Sequence, residues 1–354
     1  MALSPFRRRL VYESKINHND EASAGIFRNN RLSGATQAGY KSGVDRYINY
    51  CDSKNISAWP IRDDILCQWV SNMAQVAKLL SGTILNYVYG VINEANTREI
   101  NNNNNNNNNS NNSMPYTYGQ FRQLCQVIDG IRKRDAGHVS KIRMPLTIDI
   151  LDRCYSQMNL SLANDRLIWA ALTMAVHGML RCGEFTVDKE SEPARLLQSD
   201  LEYKVSNQEY YRIFLRKSKT DPYGNGVWVT LYATGGRTCP YQAMSRYISQ
   251  LPQHQSHPNM PLLVSTNGKP LLKSLLVGRM KSMLGNVGED SDLYTGHSLR
   301  KGGATSLMLA GVSTEIIQVR GRWKSNAYSR YVHVRNQQQQ DAARKLVVRS
   351  RANQ

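Results

Sequence analysis

The sequence predicts a mainly α fold with one small antiparallel sheet (α+β), divided into two domains. Three observations carry that expectation. Apolar residues recur at helical spacing along most of the chain, two strand-like runs are joined by a stretch of turn formers, and a basic segment ending in a proline separates the first group of helices from the rest. At 354 residues the chain has room for two cores.

Residues 1–32 include Arg7, Arg8 and Arg9 with no apolar run behind them, which is not the layout of a signal peptide, and are expected to be a flexible basic N-terminus. Three short helices are predicted next, from Tyr40, Val44, Tyr47 and Ile48, then Ile65, Leu66, Trp69, Val70 and Met73, then Ile84, Tyr87, Val88 and Val91. Ser57 to Pro60 break the chain before the second, and Ser81, Gly82 and Thr83 open the third. The asparagine run from Asn101 continues to Ser113 as low-complexity sequence that has no apolar surface to bury, so 101–113 is expected to be a disordered loop. A helix around Phe121 to Ile131 completes a small helical domain spanning 33–143. Pro145 then interrupts the chain and Thr147 can cap the helix that follows, which places the boundary at 143/144.

The second domain, 144–334, opens with helices at 148–157 and 165–180. Strands are predicted at Tyr210 to Arg216 and Val227 to Tyr232, joined through Lys217-Ser218-Lys219-Thr220-Asp221-Pro222-Tyr223-Gly224-Asn225-Gly226 as a hairpin with a long tip. Helices return at 241–251, 271–284, 303–310 and 314–321, and a basic tail occupies 335–354.

Forty-five Lys and Arg against 27 Asp and Glu leave a net charge of +18, which favours a polyanionic partner over a small-molecule substrate. Nucleic acid is the first candidate and a membrane surface the second. The longest apolar stretch, Ile168 to Leu180, is too short to span a bilayer and contains His177, so no membrane role is expected and an intracellular location is. The six cysteines stand singly, with no histidine cluster at metal-ligand spacing, so reduced thiols and no metal are expected.

Three motifs carry chemistry. Gly178-Met179-Leu180-Arg181-Cys182-Gly183-Glu184 sets an arginine and a carboxylate just after an apolar helix. Arg181 could be a phosphate fork whose plane Glu184 fixes, or a cation satisfying the last carbonyls of that helix. In Gly296-His297-Ser298-Leu299-Arg300-Lys301-Gly302-Gly303, His297 and Arg300 share one face of a helical turn and can converge on one phosphate. The third is Gly321-Arg322-Trp323-Lys324-Ser325-Asn326-Ala327-Tyr328-Ser329-Arg330-Tyr331-Val332-His333-Val334, where a tyrosine follows in the company of the other two motifs.

Arginine, hairpin lysine, H-x-x-R, His or Trp, then tyrosine is the ordered signature of the tyrosine recombinase and phage-integrase superfamily, and this sequence resembles it from about Leu146 to Val334. The wording of Leu180 to Glu184, Ser218 to Asp221 and His297 to Ala304 looks closest to the recombinases of DIRS-like retrotransposons and Cryptons. The resemblance implies a helical DNA-binding core domain followed by a tyrosine-recombinase catalytic domain, with Arg181, Lys219, His297, Arg300, Trp323 and Tyr331 as catalytic residues and Glu184 in support. Tyr328 stays open as an alternative nucleophile, because the interval from Trp323 to Tyr331 is one residue short of the pattern, and Lys217 is a rival to Lys219.

The chemistry this resemblance implies is metal- and ATP-independent cleavage and rejoining of double-stranded DNA. Tyr331 would attack phosphorus to give a 3′-phosphotyrosyl bond, His297 would take or position the proton, and Lys219 would protonate the leaving 5′-oxygen. The resemblance further implies a homo-oligomer, a dimer on one site and a tetramer on two, serving integration or excision of a mobile element, and a nuclear location if the source is eukaryotic. The cofactor expectation is none. Two rival readings remain: a type IB topoisomerase, which uses nearly the same catalytic residues, and a DNA-binding protein without catalysis, for which the helix-turn-helix-like stretch Leu307 to Val319 would serve.

Overall fold

The computed structural model describes residues 32–105, 115–138, 143–204, 209–218, 221 and 223–323. The chain divides into two compact units, residues 1–139 and 140–354. The first is helical and the second is helical with one antiparallel sheet.

In the first unit, α1 (Gly34–Ser53) begins where the Ser33 hydroxyl accepts the Thr36 amide at 3.2 Å. It packs on α3 (Ser81–Asn105), while α2 (Asp63–Gln75) packs on α4 (Arg122–Asp135). The apolar stripe of α2 buries Ile65, Leu66, Trp69, Val70 and Met73, and Tyr47 meets Trp69 edge-on with ring centroids 5.0 Å apart. Charged side chains close the helix ends instead of entering this core. Asp63 accepts the amides of Gln123 at 3.1 Å and Leu124 at 2.9 Å, Asp135 accepts the Ser81 amide at 2.6 Å, and Arg134 donates to the Ala74 carbonyl at 2.7 Å. The Ser81 amide and then Arg134 pull Asp135 down to about 2.

One expectation fails here. α3 continues to Asn105, five residues into the asparagine run that was expected to be disordered from 101. Extending an existing helix adds a hydrogen bond for each residue ordered, without a new nucleus, and asparagine is only mildly unfavourable in a helix. Residues 106–114 lie outside the described residues.

In the second unit, α5 (Ile148–Cys154) is capped by Thr147, whose hydroxyl accepts the Ile150 amide at 3.4 Å. α6 (Ala163–His177) buries every residue from Leu167 to Val176 and is the central helix, with α7 (Pro240–Ser249), α8 (Lys273–Asn286) and α9 (Gly296–Leu309) packed around it. It stops three residues before the predicted end, because the chain turns at Gly178 and Met179. The last helix is α10 (Thr314–Arg320).

The sheet has order β1-β2-β3, from Leu201–Lys204, Tyr210–Leu215 and Val227–Tyr232. All pairs are antiparallel, with Ile213 facing Leu201 on one side and Val229 on the other. Tyr211, Ile213, Leu215, Val229 and Leu231 point into the core, and β1 is a strand the sequence did not announce.

Candidate active site

The site is built at the point where α6 ends and α9 begins. Met179 takes a left-handed conformation (φ 46°) that costs a non-glycine residue about 1 to 2 kcal/mol, and the chain holds it there by burying its side chain against Ala304, Ile317 and Trp323. The turn delivers Arg181 in extended backbone, followed by a single 3-10 turn, Cys182–Glu184. Glu184 then grips the same arginine twice. Its Oε2 accepts the Arg181 amide and its Oε1 accepts Nη1 of the guanidinium, both at 2.9 Å. The carboxylate side chain is 4% exposed and that of Arg181 17%, so the pair is screened far less than a surface ion pair and the guanidinium plane is fixed.

The carbonyls at the end of α6 are served by other arginines. Arg320 donates to the His177 carbonyl at 3.5 Å and Arg322 to that of Gly178 at 3.1 Å. The helix-capping role left open for Arg181 is therefore filled, and its charge points elsewhere.

His297 is exposed in the first turn of α9, which Thr295 and Ser298 close with a capping box (Thr295 amide to Ser298 Oγ, 2.9 Å). The two motifs touch through Cys182, whose thiol lies 3.6 Å from the Gly296 carbonyl. Burial pushes that thiol up to about 12, which leaves it inert as a nucleophile at neutral pH.

Arg181, Glu184 and His297 line one cleft of about 930 Å³, together with Arg143, Arg195, Arg216, Lys217 and Lys273. Glu184 is the one carboxylate among its described lining residues, so the cleft is a place for an anion. Arg195, Arg216 and Lys273 are each also in contact with a carboxylate, at 2.6, 2.9 and 3.4 Å, so the field is weaker than a count of cations suggests. α9 also presents its N-terminus there, where backbone N–H groups favour negative charge.

Arg300 does not line the cleft. One turn beyond His297, it is fully buried, with Nη1 donating to the Met179 carbonyl at 2.5 Å, Nη2 to the Gly321 carbonyl, and the guanidinium stacked 4.3 Å from the Trp323 ring centroid. The two carbonyls follow the C-terminal ends of α6 and α10, so backbone dipoles and an aromatic face both contribute to solvating this cation. Two close approaches make the pocket. A Cβ on Gly302 would fall 1.7 Å from the Leu146 carbonyl oxygen, and one on Gly321 would fall 1.7 Å from the Trp323 ring. Only glycine lets α9 lie this close to residue 146 and lets the indole lie flat beneath Arg300.

Lys219, Tyr328 and Tyr331 lie outside the described residues, and Lys217 is the hairpin lysine that the described structure places in the cleft. Trp323 is buried under Arg300. Among the described residues no group of three or more His, Cys, Asp and Glu could hold a metal ion, and no helix is long and apolar enough to cross a membrane.

No protein-family profile matches the chain. An integrase/recombinase XerD homolog of Selenomonas ruminantium is 23% identical over 335 residues, 90% of each chain. Among solved structures, a Tn1549 transposon integrase in complex with transposon right-end DNA covers 92% of this chain and 98% of its own, at 16% identity and a TM-score of 0.52. The XerH site-specific recombinase in a post-cleavage complex with a palindromic difH substrate covers 80% and 72%, at 16% identity and a TM-score of 0.54. The chain has the tyrosine-recombinase fold.

Against the recombinase fold, the sequence reading missed one arginine of the network and most of the cleft. Arg322 donates to Gly178, Met179 and Glu184, yet in the sequence it is only the residue before Trp323. Arg143, Arg195 and Lys273 come from separate segments and meet only in the folded chain, so no local pattern announces them.

Proposed function

We propose that the protein is a tyrosine recombinase that cuts and rejoins double-stranded DNA through a 3′-phosphotyrosyl bond. The observation that carries the reading is the cationic cleft joining Arg181, Glu184 and His297 at the start of α9, in a chain with this fold.

A phosphodiester resists attack because its anionic oxygens repel the nucleophile and its alkoxide leaves poorly. Arg181, held in plane by Glu184, donates to the non-bridging oxygens as charge grows on them, and loss of one such donor costs roughly 3 to 4 kcal/mol of barrier. Arg300 adds positive charge from the base of the site, where its carbonyl bonds fix its plane. Tyr331 Oη forms the bond to phosphorus, its proton passing to His297. The bond to the 5′-oxygen breaks, and that oxygen takes a proton from Lys219. Attack on the phosphotyrosine by the 5′-hydroxyl of a partner strand rejoins the DNA, so bond energy is conserved. Trp323, an N–H donor that cannot act as a base, leaves proton transfer to His297.

The relatives act in different settings, and integration or excision of a mobile element is proposed here on the DIRS-like and Crypton-like wording around Arg181, Lys219 and His297. A dimer on one site and a tetramer on two, and a nuclear location in a eukaryotic source, belong to the same reading.

The test is covalent trapping on a nicked duplex whose cleavage releases a short strand that cannot rejoin. Wild type and Tyr328→Phe should give a denaturant-stable protein–DNA adduct and Tyr331→Phe none. Loss in Tyr328→Phe alone would move the nucleophile to Tyr328, and no adduct from wild type would leave a protein that binds DNA without cutting it.

A further inference from the structure

We propose that Arg322 is a positioning residue, tying the segment that leads to the nucleophile to the Arg181 loop so that both are set by one carboxylate, Glu184. This rests on the function proposed above and assigns a role to a residue outside the family signature.

The geometry is specific. Arg322 follows α10 in a left-handed backbone conformation (φ 57°), which an ordinary side chain adopts only at a cost. Its side chain is 13% exposed and does not line the cleft, so it is placed to act on other residues and not on DNA. Nη1 donates to the Gly178 carbonyl at 3.1 Å, and Nη2 to the Met179 carbonyl at 3.4 Å and to Glu184 Oε2 at 3.0 Å. Three acceptors, all in the segment 178–184, are thus held by one guanidinium from the segment that continues into Trp323.

Two of the three acceptors are shared with a second arginine. The Glu184 Oε2 that meets Arg322 also accepts the Arg181 amide, and the Met179 carbonyl also accepts Arg300 Nη1. Arg322 therefore bridges both clamp arginines through atoms they already use. It also divides the charge of Glu184 between two cations, so that the carboxylate orients Arg181 without neutralising it alone. Without Arg322, Glu184 would bind Arg181 more tightly in competition with a phosphate, and the chain beyond residue 321 would lose its anchor to the loop.

A residue that did no more than end α10 would look different. Glycine is the residue suited to a left-handed position, and a cap needs no contact with Glu184. That distinction sets the variants: Arg322→Gly relaxes the backbone and removes the bridge, Arg322→Ala removes the bridge alone, and Arg322→Lys keeps the charge without the planar fork.

The experiment is single-turnover adduct formation on the nicked duplex as a function of DNA concentration, with thermal unfolding of each variant alongside. For Arg322→Ala and Arg322→Gly the maximal rate should fall more than tenfold while the half-saturating DNA concentration stays within twofold, and Arg322→Lys should recover part of the rate. The proposal is overturned if Arg322→Gly reacts at the wild-type rate, which would make residue 322 a backbone device. It is equally overturned if rate, DNA affinity and melting temperature fall together in all three variants, which would make the role purely structural. If wild type forms no adduct, the recombinase reading itself fails, an outcome distinct from either of these.

Discussion

The two units keep their charges in different places. In the first, no described charged side chain is buried; Asp63, Arg134 and Asp135 sit at the rim and close helix ends. In the second, Asp165, Glu184, Asp200, Arg300 and Lys301 are all buried, and two of them lie within the site. Burying an ion is expensive unless its hydrogen bonds are met, so a core that contains several spends stability on something other than folding. The first unit shows what this chain builds when its core holds no ion, and the second what it builds when it must hold a cation in place.

The contrast can be broken at three points. Trp69→Ala, in the apolar core, should lower the unfolding free energy by about 3 to 5 kcal/mol in denaturant titration and leave the adduct rate at saturating DNA within twofold. Equal loss of rate would mean that the two units do not divide folding from chemistry. Arg300→Met should do the reverse: similar volume and no charge limit the stability loss to about 1 to 3 kcal/mol for the stranded Gly321 carbonyl, since Met179 keeps Arg322, while adduct formation falls by about 100- to 1,000-fold. A variant that cleaves at the wild-type rate would remove Arg300 from the clamp.

The third point sharpens the contrast with pH. Burial holds His177 down to about 4, against an ordinary value near 6.5. Its neutral form is favoured in the fold, so the unfolded chain binds the extra proton first. The contribution is complete above about pH 6.5 and is lost as pH falls from there to about 4, by about 3 kcal/mol at most. His177→Gln should flatten that part of the stability profile measured by denaturant titration, and an unchanged slope would place the titrating group elsewhere.

Much of this was legible in the sequence. The helices of both units follow from apolar spacing, and the hairpin follows from two β-rich runs around a turn-rich loop. Motif spacing likewise pointed to Arg181, Glu184 and His297, which the fold brings to one cleft. The parts that stayed hidden depend on depth or on distant neighbours. Leu201 to Lys204 alternate correctly but are four residues long, too few for a period to stand out, and only their pairing with β2 makes them a strand. Arg300 reads in sequence as a partner of His297 on one face, open to a phosphate; the signal of its burial was Gly302 close behind it, which has no side chain to hold α9 away from residue 146. Arg322 gave no signal, because its partners are 138 or more residues away along the chain.

Part of the Arg300 pocket is main chain. Nη1 and Nη2 bond to main-chain oxygens of Met179 and Gly321, atoms that every amino acid carries. At those two bonds it is the course of the backbone that holds the cation, and that course depends on glycine at the tightest crossings. Sequence divergence and retention of an active site cease to be opposed in such a design, and the glycines that keep helix and indole at close range become a better fingerprint for distant kin than the residues that do the chemistry.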